Sequence, residues 1–462
     1  MKKSFTKASV YCSLLLSLAG AAKAQDTTTT TEFKPHGNLW GYTFGDFDYK
    51  GNADNLNRGG SNQYTGMPMN ANTFQFRRVY LGYNFDISEK FSTEFLLAAE
   101  DDFNTGSITE GTAGTSVGDV TAGGKFTPYL KLANLRWKNI FKNSDLVIGQ
   151  QSTPGFAKTG RNDQTAEEVW GYRCVERTVS DIRRTPSFDM GASLQGWFDK
   201  KGNYGYMAMV GNGTGGAKPE TNTFKSLYGD VYAKFFDKKL IIDLYADYTK
   251  LAWGVWDAST TKVGTESLNG PQYGSREMTK LFLAYNTNKL TIGFEGFMNT
   301  FLGGLKVTET DKNIYYRTFS ATDLSFYVRG RIISAPNGDP RLNYFVRYDN
   351  YNPSNGLSTV ASNATTTAIT TATGVSNYDP FTKESFFTAG IDYMPAKNVH
   401  LIPNIWLNTY ASSLSYTGSN DAVTPIPYTK YSSEVNNVKG TDAVWRLTFY
   451  YIFNAKAGTT KY

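Results

Sequence analysis

The sequence has almost no cysteine: of 462 residues only Cys12 and Cys174 carry a thiol. Cys12 falls in a leader-like N-terminus, so the exported chain can form no intrachain disulfide, which excludes a small disulfide-stapled architecture. Histidine is equally scarce. His36 and His400 stand alone, in no zinc-type spacing, and this argues against catalytic metal chemistry. No apolar run approaches the roughly 20 residues a membrane-spanning helix needs, and the mean hydropathy is −0.41. A dominant charge is missing too. The formal net charge of +6 includes four lysines in the first 24 residues, so the exported chain carries +2, far from the basic excess that nucleic-acid binding requires.

The N-terminus, "MKKSFTKASVYCSLLLSLAGAAKAQ", has the layout of an export signal. Lys2, Lys3 and Lys7 make a basic start, an apolar run follows, and Ala22-Lys23-Ala24 supplies an A-x-A cleavage site. Residues 1–24 are expected to be removed, leaving 438 residues from Gln25. Residues 25–37, rich in threonine, are expected to form a flexible periplasmic segment ahead of a barrel over 38–462.

What the chain has in abundance is aromatic residues, 15%, and 44 glycines. The stretch "WRLTFYYIF" (445–453) splits by alternate positions into Trp445, Leu447, Phe449, Tyr451 and Phe453 on one face and Arg446, Thr448, Tyr450 and Ile452 on the other. Period-2 alternation of this kind marks a half-buried strand. Sixteen such segments are expected, at 38–49, 74–86, 91–103, 125–138, 144–152, 188–199, 203–211, 226–236, 240–251, 277–287, 290–301, 321–333, 341–351, 384–395, 399–411 and 442–454. Their connections alternate between long ones (near 50–73, 104–124, 153–187, 212–225, 252–276, 302–320, 352–383 and 412–441) and short ones such as "ISEK", "DKK", "NK" and "AKN". A soluble sandwich has no reason to sort its loops, because both ends meet the same water. An antiparallel membrane barrel does, with long external loops and short periplasmic turns.

Face assignment agrees. Val79, Leu81, Tyr83 and Phe85, then Leu342, Tyr344, Val346 and Tyr348, then Phe387, Ala389, Ile391 and Tyr393, form apolar outward rows. Alternate positions carry Arg78, Lys280, Arg329, Arg331, Arg347, Arg446, Glu94, Glu100, Asp243, Asp247 and Glu295. A charge facing mid-bilayer lipid costs about 2–4 kcal/mol for Arg or Lys, so these charges require a wet interior. The fold class expected is therefore all-β: a transmembrane antiparallel barrel of sixteen strands, wrapped by outer-membrane lipid.

Four features bear on chemistry. "GNGTGGAK" (211–218) matches G-x-G-x-x-G, but Pro219 and a polar run follow where a helix would have to start, so it reads as an external loop. A barrel-wall lipid hydrolase would have to use His400, whose face holds Asn404 and Asn408; a polar position near a periplasmic turn explains it without chemistry. Cys174 reads as a tolerated loop thiol rather than a reactive one. The connection 153–187 is more informative. It carries Lys158, Arg161, Arg173, Arg177, Arg183 and Arg184 against Asp163, Glu167, Glu168, Glu176 and Asp181. Folded into the barrel, such a loop would set a constriction whose fixed charges bias permeation. Lys158, Arg161, Arg173, Glu176, Arg177, Arg183 and Arg184, with Arg329, Arg331 and Arg347 from the wall, are the candidate pore-lining residues.

"VIGQQSTPGFA" (147–157), "VERTVSD" (175–181) and "PSFDMGASLQGWF" (186–198) together resemble the phosphate-selective porin family of the O and P type. The matching positions are Gly149, Pro154, Glu176, Arg177, Asp189, Gly191 and Gly196. The resemblance implies a homotrimeric sixteen-stranded outer-membrane barrel whose third external loop folds inward, and passive diffusion of small hydrophilic solutes, often anions. It implies no catalysis and no cofactor. Two features depart from the family. The inward faces mix both signs instead of forming an Arg/Lys ladder, which favours general diffusion over phosphate selectivity. The last strand stops near Phe453, and "NAKAGTTKY" follows it. The rival reading is a surface-binding or adhesion barrel with a closed lumen. Mass spectrometry of the exported protein is expected to find Gln25 as its first residue; a product retaining residues 1–24 would remove the export reading.

Overall fold

The computed structural model describes residues 33–53, 64, 69–100, 128–155, 169–172, 175, 186–213, 220, 224–252, 262–263, 266–267, 273–308, 314–355, 382–412 and 440–455. All the strands lie in the unit that begins at His36. They are β1 (His36–Asn52), β2 (Asn72–Asp86), β3 (Phe91–Glu100), β4 (Tyr129–Phe141), β5 (Ser144–Ser152), β6 (Phe188–Trp197), β7 (Tyr204–Gly211), β8 (Ser226–Phe235) and β9 (Leu240–Ala252). After β10 (Lys262–Val263) and β11 (Glu266–Ser267) come β12 (Tyr273–Asn286), β13 (Leu290–Thr308), β14 (Ile314–Ser334), β15 (Pro340–Asn355), β16 (Thr382–Ala396), β17 (Val399–Ser412) and β18 (Gly440–Ala455).

Sixteen of these strands form one closed antiparallel barrel, each paired with its neighbours in chain order and β1 with β18; β10 and β11 make a separate small sheet. Each of the sixteen segments expected from alternation corresponds to a barrel strand. The faces separate as the pattern requires: on β18, Trp445 and Leu447 are 57% and 48% exposed while Arg446 and Thr448 are 4% and 0%. The outward rows on β2, β15 and β16 are likewise exposed at Leu81, Tyr348 and Ile391. Short turns use residues that tolerate positive φ, among them Asn143 (59°), Asn398 (65°) and Gly338 (85°).

Two departures have physical causes. The connection 302–320 is not a long loop. After an irregularity between Phe301 and Leu305, β13 and β14 pair onward to Thr308 and Ile314, so a hairpin continues above the wall. The alternation weakens there, in "GGLKVT", and backbone pairing rather than side-chain pattern carries the strands on. Second, β2 contains a bulge: Phe44 of β1 pairs with Arg78, and Gly45 with Phe76, which leaves Arg77 as the extra residue. A bulge shifts side-chain alternation by one. Arg77 and Arg78 therefore both turn inward, while Phe74 and Phe76 below them and Val79 above remain exposed.

The seam between the first and last strands is fitted on its outer side. Gly41 pairs with Phe453 and Gly45 with Phe449, and the two rings lie in the space a Cβ at each glycine would occupy. Such cross-strand packing replaces the side chain that glycine lacks. A Gly41→Val change would drive a branched side chain into the Phe453 ring and the Tyr80 carbonyl. Overpacking of this kind typically costs about 1–3 kcal/mol, so the variant is expected to unfold at lower temperature in a heat-modifiability gel assay, with the barrel still formed in the cold.

Candidate functional site in the lumen

The inward faces hold charges and rings together. Among the described residues, thirteen buried Asp and Glu side chains stand against six buried Lys and Arg. Buried charges need partners, and the wall supplies them across strands. At the seam, Asp46 of β1 accepts from Thr448 of β18 and pairs with Arg77 of β2. Arg446 of β18 lies 3.9 Å from the same carboxylate, donates to Asn404 of β17 at 2.7 Å, and covers the Trp406 ring at 4.3 Å. Lys50 pairs with Asp442 at 2.9 Å and donates to the Tyr64 carbonyl at 2.5 Å. Tyr64, between β1 and β2, is fully buried with its ring edge-on to Trp406. Burial pushes its phenol well above the usual range, so it stays a neutral hydroxyl.

On β2 and β4, Arg78 and Lys131 converge on the Tyr80 hydroxyl, each at 2.6 Å, and on Glu100 of β3. Lys280 of β12 pairs with Glu295 of β13 at 3.4 Å. Asp189, at the start of β6, accepts from the Gly213 amide at 2.7 Å and the Tyr228 hydroxyl at 2.8 Å, fixing the chain where β7 leaves the wall.

The connection between β5 and β6 is closed at its neck, where Thr153 bonds the Pro186 carbonyl at 2.6 Å and the Ser187 carbonyl at 3.0 Å. The Gly155 carbonyl accepts from Lys280 of β12 at 2.9 Å. Farther on, Trp170 packs on Tyr327 of β14 and Phe345 of β15, at ring distances of 5.9 and 5.8 Å. Tyr172 lies 4.3 Å from the Phe345 ring and donates to Asp392 of β16 at 3.3 Å. Arg347 of β15 lies over the Trp170 ring at 5.0 Å. These wall residues point inward. Counted around the barrel, β15 is eight strands from β5 in either direction. Residues 155 and 169–172 thus lie across the inside, and Trp170 and Tyr172 meet the wall opposite the point of departure.

Of the candidate pore-lining residues, Lys158, Arg161, Arg173, Glu176, Arg177, Arg183 and Arg184 lie outside the described residues, as does Cys174. Arg347 pairs with Asp349 at 2.8 Å and bonds Ser325, beside the crossing segment. Arg329 bonds Thr291 at 3.0 Å, and Arg331 reaches the Gly338 carbonyl in the β14–β15 turn at 2.9 Å; both sit toward the short-turn end. His400 bonds Asp392 at 2.9 Å and stacks on Tyr450, and among the described residues no serine or cysteine hydrogen-bonds it. Arg77 is the residue that strict alternation hides. Only the adjacent pair "RR" within a strand hinted at a bulge. The inward rings Phe282, Tyr327 and Phe345 share the alternate positions of Lys280, Arg329 and Arg347 and are buried.

No family model and no curated protein sequence matches the chain. Solved structures do. The outer membrane channel DcaP of Acinetobacter baumannii superposes with a TM-score of 0.51 at 10% identity, over 93% of this chain and 100% of that one. An anion-selective porin from Comamonas acidovorans matches with a TM-score of 0.48 at 10% identity, over 91% and 100%. OmpF of Salmonella typhi, in complex with daunomycin, matches with a TM-score of 0.47 at 12% identity, over 90% and 97%. The barrel thus shares the fold of the outer membrane channel DcaP, while the narrower resemblance to phosphate-selective porins rests on its motif residues alone.

Asp46 is the hub of the seam network. Asp46→Ala would leave Arg77 and Arg446 buried without their carboxylate. Removal of one partner from a buried pair costs about 3–5 kcal/mol, so the urea midpoint of the folded barrel in detergent is expected to fall accordingly, whereas an unchanged midpoint would show that the network does not hold the seam.

Proposed function

We propose that the protein is a passive outer-membrane porin for small hydrophilic solutes, without catalysis or energy coupling. The observation that carries this reading is the combination of a closed sixteen-stranded barrel, an apolar exterior and a charged interior crossed by one segment. Exposed Leu, Val, Tyr and Phe rows around the whole wall suit hydrocarbon, which a soluble barrel would not meet. The segment 153–187 is the constriction, its cations supplementing the carboxylate-rich wall. In this reading the protein works as a homotrimer surrounded by outer-membrane lipid, after removal of residues 1–24.

The charge balance bears on ion preference. An anion preference of the phosphate-selective kind would have to come from Lys158, Arg161, Arg173, Arg177, Arg183 and Arg184, because among the described residues the buried wall carries more carboxylates than cations. General diffusion with a preference set at the crossing segment is the reading the residues support. The burial of so many inward side chains favours one alternative, a surface-binding barrel with a closed lumen, and the same experiment separates the two.

Purified protein in a planar bilayer is expected to give stepwise openings, whereas a folded barrel that gives none would be the closed-lumen alternative. In a KCl gradient, Arg177→Glu or Arg161→Glu should shift the reversal potential toward cations. The shift should shrink at 1 M salt, where the Debye length is about 3 Å. A reversal potential that neither variant moves would place 153–187 away from the constriction.

A further inference from the structure

The crossing segment meets the far wall through two kinds of contact. One is apolar: Tyr172 against Phe345 and Trp170 against Tyr327 and Phe345. The other is polar and centres on Asp392. Asp392, 2% exposed and four residues before the end of β16, accepts the Tyr172 hydroxyl at 3.3 Å through Oδ2 and faces Nδ1 of His400 at 2.9 Å through Oδ1. Asn343 of β15 donates to Oδ2 at 3.4 Å. One carboxylate therefore holds both the inward segment and the barrel's only histidine beyond its first residue.

We propose that Asp392 and His400 are positioning residues for the crossing segment, and that protonation of His400 loosens its attachment to the wall. The inference rests on reading that segment as the pore constriction, and it adds a regulation to that reading. A carboxylate only accepts hydrogen bonds, so the neutral His400 ring must carry its proton on Nδ1. Uptake of a proton at Nε2 makes the ring a cation in contact with Asp392. The imidazolium then draws on the carboxylate charge, and the bond from the Tyr172 hydroxyl weakens, because its strength depends on the charge of the acceptor. Histidine is the side chain whose ordinary titration falls between about pH 5 and 8. The groups that face the pair come from three strands: Tyr450 of β18 stacks on the ring at 5.1 Å, Arg329 of β14 acts electrostatically on both Tyr172 and Asp392, Arg331 of β14 stands by the Gly338 turn, and Asn343 of β15 donates to the carboxylate. His36, the other histidine, is a surface residue at the start of β1 beside Asp86.

The test is channel current recorded from pH 8 to pH 5 for the full-length protein. The wild type and His36→Gln are expected to change open-state current or its fluctuation within that interval. His400→Gln keeps a donor for Asp392 and cannot titrate, so it should hold the pH 8 behaviour throughout. Tyr172→Phe removes the anchored hydroxyl and should show the pH 5 behaviour already at pH 8. A His400→Gln profile identical to the wild type, or a Tyr172→Phe channel unchanged at pH 8, would overturn the proposal. Should the variants misfold, hydrogen exchange of the wild type decides it. The Val175 amide, bonded to the Tyr172 carbonyl at 2.9 Å, should lose protection at pH 5 relative to its intrinsic rate, and equal protection at both pH values would refute the anchor. Absence of any current would overturn the porin reading, and the exchange measurement would still judge the anchor on its own.

Discussion

A sheet with no edge is the constraint from which the rest follows. In hydrocarbon an unpaired backbone amide or carbonyl has no solvent partner and costs several kcal/mol. A strand on a sheet edge would expose a row of them. Pairing β1 with β18 from Leu39–Ala455 to Asn52–Ala443 removes both edges. The fit is aided outside by rings of β18 seated over glycines of β1 and inside by Asp46, Arg77, Arg446 and Thr448. Chain closure is thus secured by backbone pairing on the wall and by side chains on each of its two surfaces.

Closure creates an inside, and period-2 alternation decides what enters it. Every second residue faces inward regardless of chemistry, so Asp, Glu, Lys and Arg come to lie within a few ångströms of one another on neighbouring strands. Their desolvation is tolerable only when opposite charges and hydroxyls meet, which explains pairs such as Lys280–Glu295, Lys50–Asp442 and Arg347–Asp349. The same inside is wide enough to take chain from the ends of the barrel. Tyr64 is clasped by Lys50, Trp406 and Arg446, and Trp170 and Tyr172 by the wall of β14, β15 and β16. Rings on these segments bury apolar surface that the outward rows could never offer them.

Much of this was legible from order alone. Sixteen alternating segments, long connections sorted from short ones, and charges confined to alternate positions lead to the barrel because a strand's side chains can point only two ways. Legibility failed where the period breaks or where distance along the chain says nothing. The bulge at Arg77 reverses a face within one residue. The continued pairing of β13 with β14 above the wall depends on backbone contacts that weak side-chain patterning does not report.

The set of strands, their two faces and the sense in which loops alternate are readable from residue order, since these depend on local geometry and on neighbours one or two residues away. Which charges meet which was decided only by the closed barrel: Asp46 and Thr448 stand 402 positions apart, and Tyr172 and Asp392 stand 220 apart. Those meetings depend on register around a ring and on a segment crossing it, and no property of either residue's own neighbourhood encodes them.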